Sequence, residues 1–188
     1  MISILIPNAS EASIGTTVEK CEHLFPEAQI IVATDRYRAG KGHALRRALS
    51  MATGNIIVFI DGDGDISPDM INRLLPHLNE FDIVVGTKDS RVRISRWILT
   101  SLSRIYISLI FGIPVDTQTG IKVFKRSHLP EWRENSFAFP LEILYKAMIS
   151  GSKMFEVTVE TRNSKPMKFK AIFLALIGSF KIHRRVKK

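Results

Sequence analysis

One stretch of the sequence, an apolar run that ends in three alternating acids, constrains the fold and the chemistry of this chain most strongly. Residues Ile56 to Ile60 are all apolar, and four of the five are β-branched. This composition predicts a strand buried on both faces, as in a parallel sheet that is covered by helices. Asp61, Asp63 and Asp65 follow directly. Because ligands of such sheets bind at the carboxyl ends of strands, we expect these acids to lie at a binding site.

The three acids also predict a metal site. Carboxylates this close in sequence repel one another unless a cation neutralises them, and oxygen ligands favour hard cations such as Mg²⁺, Mn²⁺ or Ca²⁺. We therefore predict a divalent metal bound by Asp61, Asp63 and Asp65, with a solvated acidic turn as the alternative. A calcium-binding loop does not fit, because Ile66 stands where that loop requires glycine and its twelfth position is not glutamate.

The composition narrows the class of protein. A chain of 188 residues with 45% hydrophobic content is long enough for one domain with a substantial core. The single cysteine, Cys21, excludes an internal disulfide framework, and the five histidines have no zinc-binding spacing. These features predict a reducing, cytosol-facing location.

The net charge of +9 comes entirely from the C-terminal segment. Residues 162–188 contain nine basic residues and no acid, whereas residues 1–161 contain 18 of each. An apolar run of ten residues, 171–180, lies among these cations, and it is too short for a bilayer core that requires about 20 residues. We predict a basic amphipathic tail, residues 168–188, on a membrane surface. A core helix with a solvated basic end is the alternative, and no nucleic-acid partner is expected because basic and aromatic residues are not interleaved.

Strand and helix signals alternate along the rest of the chain. Strands are predicted at residues 2–6, 30–33, 56–60, 83–85, 121–124 and 155–159, and helices up to residue 24, from residue 40, after residue 67 and over residues 140–150. Pro7 is expected to end the first strand. A cation-rich stretch, residues 88–104, leads into a further apolar helix. The pattern predicts an α/β fold with a mainly parallel central sheet flanked by helices.

Several short motifs follow one another in an order that resembles a known family. They are Pro7 to Glu11, Asp35, Gly40 to Ala44, Asp61 to Asp63, Asp116 to Gly120 and Glu156-Val157. The order is similar to that of family 2 glycosyltransferases, and most similar to the polyprenyl-phosphate branch, which includes dolichyl-phosphate mannose and glucose synthases. The most specific match is Asp116 to Phe124, which resembles the DTQxGxKxF segment of the glucosyl branch.

The resemblance implies a GT-A fold over residues 1–167, which includes a Rossmann-like nucleotide-binding half. It implies an enzyme that moves a sugar, with inversion, from a UDP- or GDP-linked donor to a polyprenyl phosphate. Mg²⁺ or Mn²⁺ would be held by Asp61 and Asp63, which match the family's DxD pair, with Asp65 as a third ligand. The implied donor-binding residues are Pro7, Glu11, Asp35, Lys41 and Asp61. Catalytic roles are implied for Asp63, Asp116 and Arg96.

The acceptor of this reaction is itself anionic, so it needs positive charge more than a strong general base. Arginine's planar fork suits phosphate oxygens. We therefore assign Arg91, Arg93, Arg162 and Lys165 to the acceptor phosphate, with a solvated surface group as the alternative for each. Together with the basic tail, this assignment predicts a peripheral enzyme on the cytoplasmic face of a membrane.

Two other functions fit the same residues. One is a soluble family 2 transferase that acts on a saccharide hydroxyl, which would require a base such as Asp116. The other is a degenerate, non-catalytic domain that binds lipid or nucleic acid through its basic tail.

Overall fold

A single six-stranded sheet forms the centre of the molecule. The computed structural model describes residues 1–8, 13–35, 39–88, 104–162 and 169–186, with only the backbone over 169–177. Its strands are β1 Ile2–Asn8, β2 Gln29–Thr34, β3 Ile56–Ile60, β4 Ile83–Lys88, β5 Ile121–Lys125 and β6 Met154–Val159.

The strand order is β2-β1-β3-β5-β4-β6. Neighbouring strands are parallel except where β5 pairs with β3 and with β4. Five of these six strands therefore run in one direction, which confirms the predicted mainly parallel sheet.

Helices cover both faces of the sheet. They are α1 Ile14–Leu24, α2 Lys41–Met51, α3 Met70–Leu74, α4 over residues 104–111, α5 Phe139–Ile149 and α6 Phe169–Val186. Residues of α2, α4, α5 and α6 share one apolar cluster with one sheet face, and residues of α1 and α3 share a second cluster with the other face. The chain is thus a three-layer α/β domain.

Strand β3 contributes to both apolar clusters. Ile57 and Phe59 belong to the cluster under α2 and α5, whereas Val58 and Ile60 belong to the cluster under α1 and α3. Alternate side chains of a strand point to opposite faces, so an uninterrupted apolar run is what a strand covered on both sides requires. The predicted two-sided burial of this run is confirmed.

Pro7 does not end the first strand, contrary to the prediction from sequence. Strand β1 continues to Asn8, and Pro7 pairs in register with Ala33 of β2. The pairing of β1 with its other neighbour, β3, extends only to Leu5. Proline lacks a backbone N–H and is tolerated where the ladder needs no donor, and the unpaired side of β1 beyond Leu5 meets that condition.

The C-terminal half of α6 packs against the domain. Ile182 is fully buried in the cluster under α5, and Ser179 Oγ lies 3.1 Å from the hydroxyl of Tyr106 on α4. Phe180 is exposed. The described part of the predicted tail therefore has one covered face and one exposed face. In the part of the chain that the structure describes, no helix has both the length and the apolar character needed to span a membrane.

Candidate functional site

One edge of the sheet collects most of the chemically distinctive residues. Strands β1, β2, β3, β4 and β6 end at this edge, and β5, which runs in the opposite direction, begins there. The acids that follow β3 and the segment of residues 116–120 that precedes β5 are therefore neighbours. The backbone confirms this, because Asp61 N donates a 3.0 Å hydrogen bond to Gly120 O.

A cavity of about 130 Å³ opens at this edge. Its volume suits a group the size of a sugar or a diphosphate, since sites for whole drug-sized ligands usually measure about 300–1,000 Å³. The cavity brings together Pro7, Lys41 and Asp61, three of the predicted donor-binding residues. The full lining is Pro7, Lys41, Leu45, Phe59, Asp61, Gln118, Thr119, Gly120, Lys122, Phe137, Phe139 and Pro140.

Lys41 and Asp61 form an ion pair across the cavity. Lys41 is the first residue of α2, and the helix starts there because Gly40 has a φ of +106°. A Cβ atom on Gly40 would lie 2.2 Å from the carbonyl oxygen of Asn135, so glycine alone fits this approach. The close approach of Gly40 to Asn135 thereby fixes the start of α2, and with it the backbone of Lys41, beside the cavity.

The three predicted metal ligands do not form one cluster. Asp61 faces Lys41, and Asp65, which is nearly buried, forms an ion pair with Lys88 at the end of β4. Asp63 Oδ1 accepts a 3.1 Å hydrogen bond from Asp65 N. Among the described residues, no group of three histidine, cysteine, aspartate or glutamate side chains could hold a metal ion. Lys41 and Lys88 therefore offset the negative charges of Asp61 and Asp65 in this structure.

Asp61 and Asp63 nevertheless remain a donor set that fits a divalent cation bound together with a ligand. Mg²⁺ is usually held by one or two carboxylates plus substrate phosphates and waters, rather than by a cage made only of protein ligands. Two aspartates at the carboxyl end of a central strand meet that requirement, and a cation would compete with the ammonium group of Lys41 for Asp61.

The segment before β5 is held by its own hydrogen bonds. Asp116 Oδ1 accepts from Gln118 N at 2.7 Å, and Asp116 Oδ2 accepts from the hydroxyl of Thr119 at 2.8 Å. Asp116 N donates to Glu156 Oε1 at 2.7 Å, and Glu156 Oε2 accepts from Arg104 at 2.6 Å. Glu156 and Arg104 therefore position the Asp116 segment, a role that sequence reasoning did not assign to either residue.

Lys122 is a third residue to which sequence reasoning assigned no role in the site. It lies on β5 opposite Phe59 of β3 and is only 3% exposed. Burial lowers the pKa of Lys122 to about 8, although Asp116 and Asp61 act to raise it. Two signals were available: Lys122 is the lysine of the segment that resembles DTQxGxKxF, and it lies within the apolar run Ile121 to Phe124 although lysine is almost never fully buried without a partner.

The other predicted site residues are placed as follows. Asp35 does not line the cavity, and its carboxylate accepts hydrogen bonds from the backbone N–H groups of Ala39 and Gly40 at 2.9 and 2.8 Å. Arg162 is exposed, and its backbone N–H donates to Asp65 O at 2.8 Å, so the chain after β6 returns to the acidic turn. Five predicted residues lie outside the described residues: Glu11, Arg91, Arg93, Arg96 and Lys165.

Comparison with curated proteins identifies relatives. The family model described as "Glycosyl transferase family 2" matches residues 9–122. A dolichyl-phosphate beta-glucosyltransferase from Dictyostelium discoideum is 27% identical over 179 residues, a match that covers 83% of this chain and 53% of that protein. The chain thus spans about half the length of the curated relative that it matches.

Comparison with solved structures supports the fold. Glucosyl-3-phosphoglycerate synthase from Mycobacterium tuberculosis, in complex with Mn²⁺, UDP-glucose and phosphoglyceric acid, gives a TM-score of 0.76 at 16% identity. The match covers 99% of this chain and 79% of that one. The same enzyme with Mg²⁺ and UDP gives a TM-score of 0.72 at 16% identity, over 99% and 79% of the two chains. The family model, which covers more than half of the chain, together with the GT-A fold, shows that this protein belongs to glycosyltransferase family 2.

Proposed function

We propose that this chain transfers a hexose from a UDP- or GDP-linked donor to a polyprenyl phosphate at a membrane surface. The observation that carries this proposal is the cavity at the carboxyl edge of the sheet, which combines Lys41, Asp61 and the segment that precedes β5. In open α/β sheets this edge is where nucleotides bind. The similarity to a dolichyl-phosphate beta-glucosyltransferase supports a lipid-phosphate acceptor and favours glucose as the sugar.

Asp61 and Asp63 would hold the Mg²⁺ or Mn²⁺ ion, and Lys41 would bind donor oxygens from the start of α2. When bound, the cation would stabilise the negative charge that develops on the leaving diphosphate. The N-terminal end of a helix attracts anions, which supports the place of Lys41 beside the diphosphate. Solved structures of a glycosyltransferase with a similar fold contain Mn²⁺ or Mg²⁺ with a uridine nucleotide, which supports the same cofactor here.

A phosphate acceptor requires less of Asp116 than a saccharide hydroxyl would. Each of its carboxylate oxygens accepts a hydrogen bond from the segment that follows it, which orients the carboxylate and leaves a lone pair on each oxygen. A hydroxyl acceptor would need this group as a general base, whereas a lipid phosphate is already ionised and needs none. In this proposal Asp116 shapes the acceptor side of the site, and Arg91, Arg93, Arg96, Arg162 and Lys165 supply positive charge for the phosphate.

Exposed apolar side chains support the membrane-surface part of the proposal. Ile105 and Leu109 on α4 are exposed, as is Phe180 on the adjacent helix α6. The exposed cations Lys181 and Arg184 flank Phe180 on α6. Apolar side chains next to basic ones are typical of helices that lie in the headgroup region of anionic membranes.

Transfer from labelled UDP-glucose and GDP-mannose to farnesyl phosphate, with and without Mn²⁺, tests this proposal. We expect Mn²⁺-dependent formation of a lipid-linked sugar, and a loss of at least about 100-fold in Asp63→Ala because an electrostatic contact to the leaving group is lost. Asp69→Ala is the matched control, since Asp69 is an exposed aspartate outside the cavity. Transfer to free saccharides but not to farnesyl phosphate would favour the soluble transferase, and failure to bind any nucleotide would favour the non-catalytic domain.

A further inference from the structure

Lys122 carries a buried positive charge for which the protein supplies few partners. It lies on the sheet face shared with Phe59 and Phe124, between β3 and β4, and its side chain lines the cavity. An ammonium group has three N–H donors. The structure shows one acceptor for them, the backbone carbonyl oxygen of Thr119.

No carboxylate of the described residues forms an ion pair with Lys122. The cavity contains one acid, Asp61, and that acid is paired with Lys41. Asp116 and Asp61 influence Lys122 only at longer range. The cavity therefore carries two cations and one anion, and Lys122 is the most deeply buried of these three charged groups.

Such an arrangement is costly unless a ligand completes it. An unpaired buried charge loses its hydration without full compensation, so proteins ordinarily pair it or place a metal ion or an anion beside it. Met or Leu at this position would fill the same space without that cost. The position of the charge at the end of a cavity, beside the segment that precedes β5, indicates that the missing partner is an anionic group of the ligand.

We propose that Lys122 is a donor-binding residue that contacts a phosphate oxygen of the nucleoside diphosphate. This inference rests on the proposed function, and it deepens that function by naming a second cation besides Lys41 for the same group. The cavity volume of about 130 Å³ suits a diphosphate-sized group, and its apolar walls, including Phe59 and Phe139, strengthen the attraction between an ammonium and an anion.

The test compares Lys122→Met, which removes the charge, with Lys122→Arg, which keeps it. Lys125→Met is the matched control, because Lys125 lies on the same strand at the opposite end and pairs with Asp82. Dissociation constants of UDP, GDP, uridine, guanosine and farnesyl phosphate are measured in MgCl₂ by ligand-observed NMR, which tolerates weak binding and requires a diamagnetic cation. Circular dichroism confirms that each variant is folded.

We expect Lys122→Met to lower the affinity for UDP or GDP by about 10- to 100-fold, which is the effect of losing a hydrogen bond to a charged group. The affinity for uridine and guanosine should stay within about twofold of the wild-type value. Lys122→Arg should retain most of the affinity, and Lys125→Met all of it. Equal nucleotide affinity in wild type and Lys122→Met, or an equal loss for nucleosides, would overturn the inference and leave the proposed function standing. A loss of affinity for farnesyl phosphate alone would also overturn the inference, because Lys122 would then contact the acceptor.

Failure of the wild-type protein to bind either UDP or GDP would have a different meaning. That result would overturn the proposed function itself, and the role of Lys122 with it.

Discussion

Two buried charges on the same side of the sheet, Glu142 and Lys122, are satisfied by the fold to very different degrees. Glu142 Oε2 accepts from the backbone N–H groups of Arg133 and Glu134 and from Arg185, and its Oε1 lies 3.0 Å from Lys146 Nζ. Lys122 has a single protein acceptor. A buried charge whose partners all belong to the protein stabilises the fold. A buried charge that lines a cavity and has one protein partner is available to bind a ligand.

The cavity beside Glu142 illustrates the same point. It measures about 450 Å³ and is lined by Glu142 together with Arg133, Lys146 and Arg185. Although it is the larger cavity, its carboxylate already joins α5, the segment before α5 and α6 through ion pairs and hydrogen bonds. The two cavities therefore differ in how completely the fold already pairs their charged groups, a difference that their volumes do not show.

The largest effect on stability is expected for Glu142→Gln. Removing the central charge leaves Arg185 and Lys146 without their buried partner, and disruption of a buried ion pair costs about 3–5 kcal/mol of unfolding free energy. Urea denaturation followed by circular dichroism measures the change. Glu160→Gln is the control, since the Glu160–Arg73 pair is exposed and should contribute less than about 1 kcal/mol.

The pH dependence of stability provides a second measure of Glu142. Burial acts to raise its pKa, but the ion pair with Lys146 and the hydrogen bonds from the N–H groups of Glu134 and Arg133 hold the pKa below the ordinary value of 4.5. The stabilisation is therefore complete above pH 4.5 and is lost as the pH falls through the lowered pKa. In Glu142→Gln this decrease of the unfolding free energy at acidic pH should be absent. An unchanged pH dependence would contradict the lowered pKa of Glu142.

Lys122→Met is expected to change stability in the opposite direction. The variant removes a buried charge with one protein acceptor, so the unfolding free energy without ligand should rise by about 1–3 kcal/mol at pH 7. The same denaturation experiment measures it. A large destabilisation would mean that Lys122 supports the fold, and the contrast with Glu142 would disappear.

Raising the pH sharpens this contrast. Because the pKa of Lys122 is lowered from 10.5 to about 8, the unfolded chain binds more protons than the folded one between these values. Wild-type stability should therefore rise from pH 8 to 10.5 relative to Lys122→Met. Nucleoside diphosphate affinity should fall over the same range, as the ammonium that faces Asp116, Asp61 and Lys41 loses its proton. Lys122→Arg, which keeps its charge, should show neither change.

The smallest effect is expected for Lys41→Met. The Lys41–Asp61 pair is partly exposed, with 22% and 33% of the two side chains accessible, so its loss should change the unfolding free energy by less than about 1 kcal/mol. Donor affinity should nonetheless fall. A change in stability as large as that of Glu142→Gln would place Lys41 with the structural charges.

Local patterns predicted the parts of the fold that depend on neighbours in sequence. The apolar run of β3 indicated two-sided burial, and the acids after it indicated the edge where the cavity lies. The prediction for Pro7 was wrong because its tolerance depends on how far β1 pairs with β3, which is a property of the sheet. The membrane-surface tail stays a prediction, and the burial of Ile182 on α6 was not predicted because it depends on packing against distant helices.

The parts of the site that sequence did not predict are long-range contacts. Glu156 and Asp116, which are in contact, are 40 residues apart in the sequence, and Arg185 and Glu142 are 43 residues apart. Lys122 gave a weak signal because a lysine in a strand is ordinarily on the solvent side. Its burial follows only from the register that places it between Phe59 on β3 and Val85 on β4.

The reversed direction of β5 has a consequence for how such a domain can change its substrate. Strand β5 begins at the edge where the neighbouring strands end, so the connection that leads into it, residues 112–120, reaches the ligand side and lines the cavity with Gln118, Thr119 and Gly120. Insertions or substitutions in this connection would reshape the cavity wall without changing the pairing of the strands. Divergence of acceptor choice among proteins with this architecture is therefore expected to concentrate in that connection.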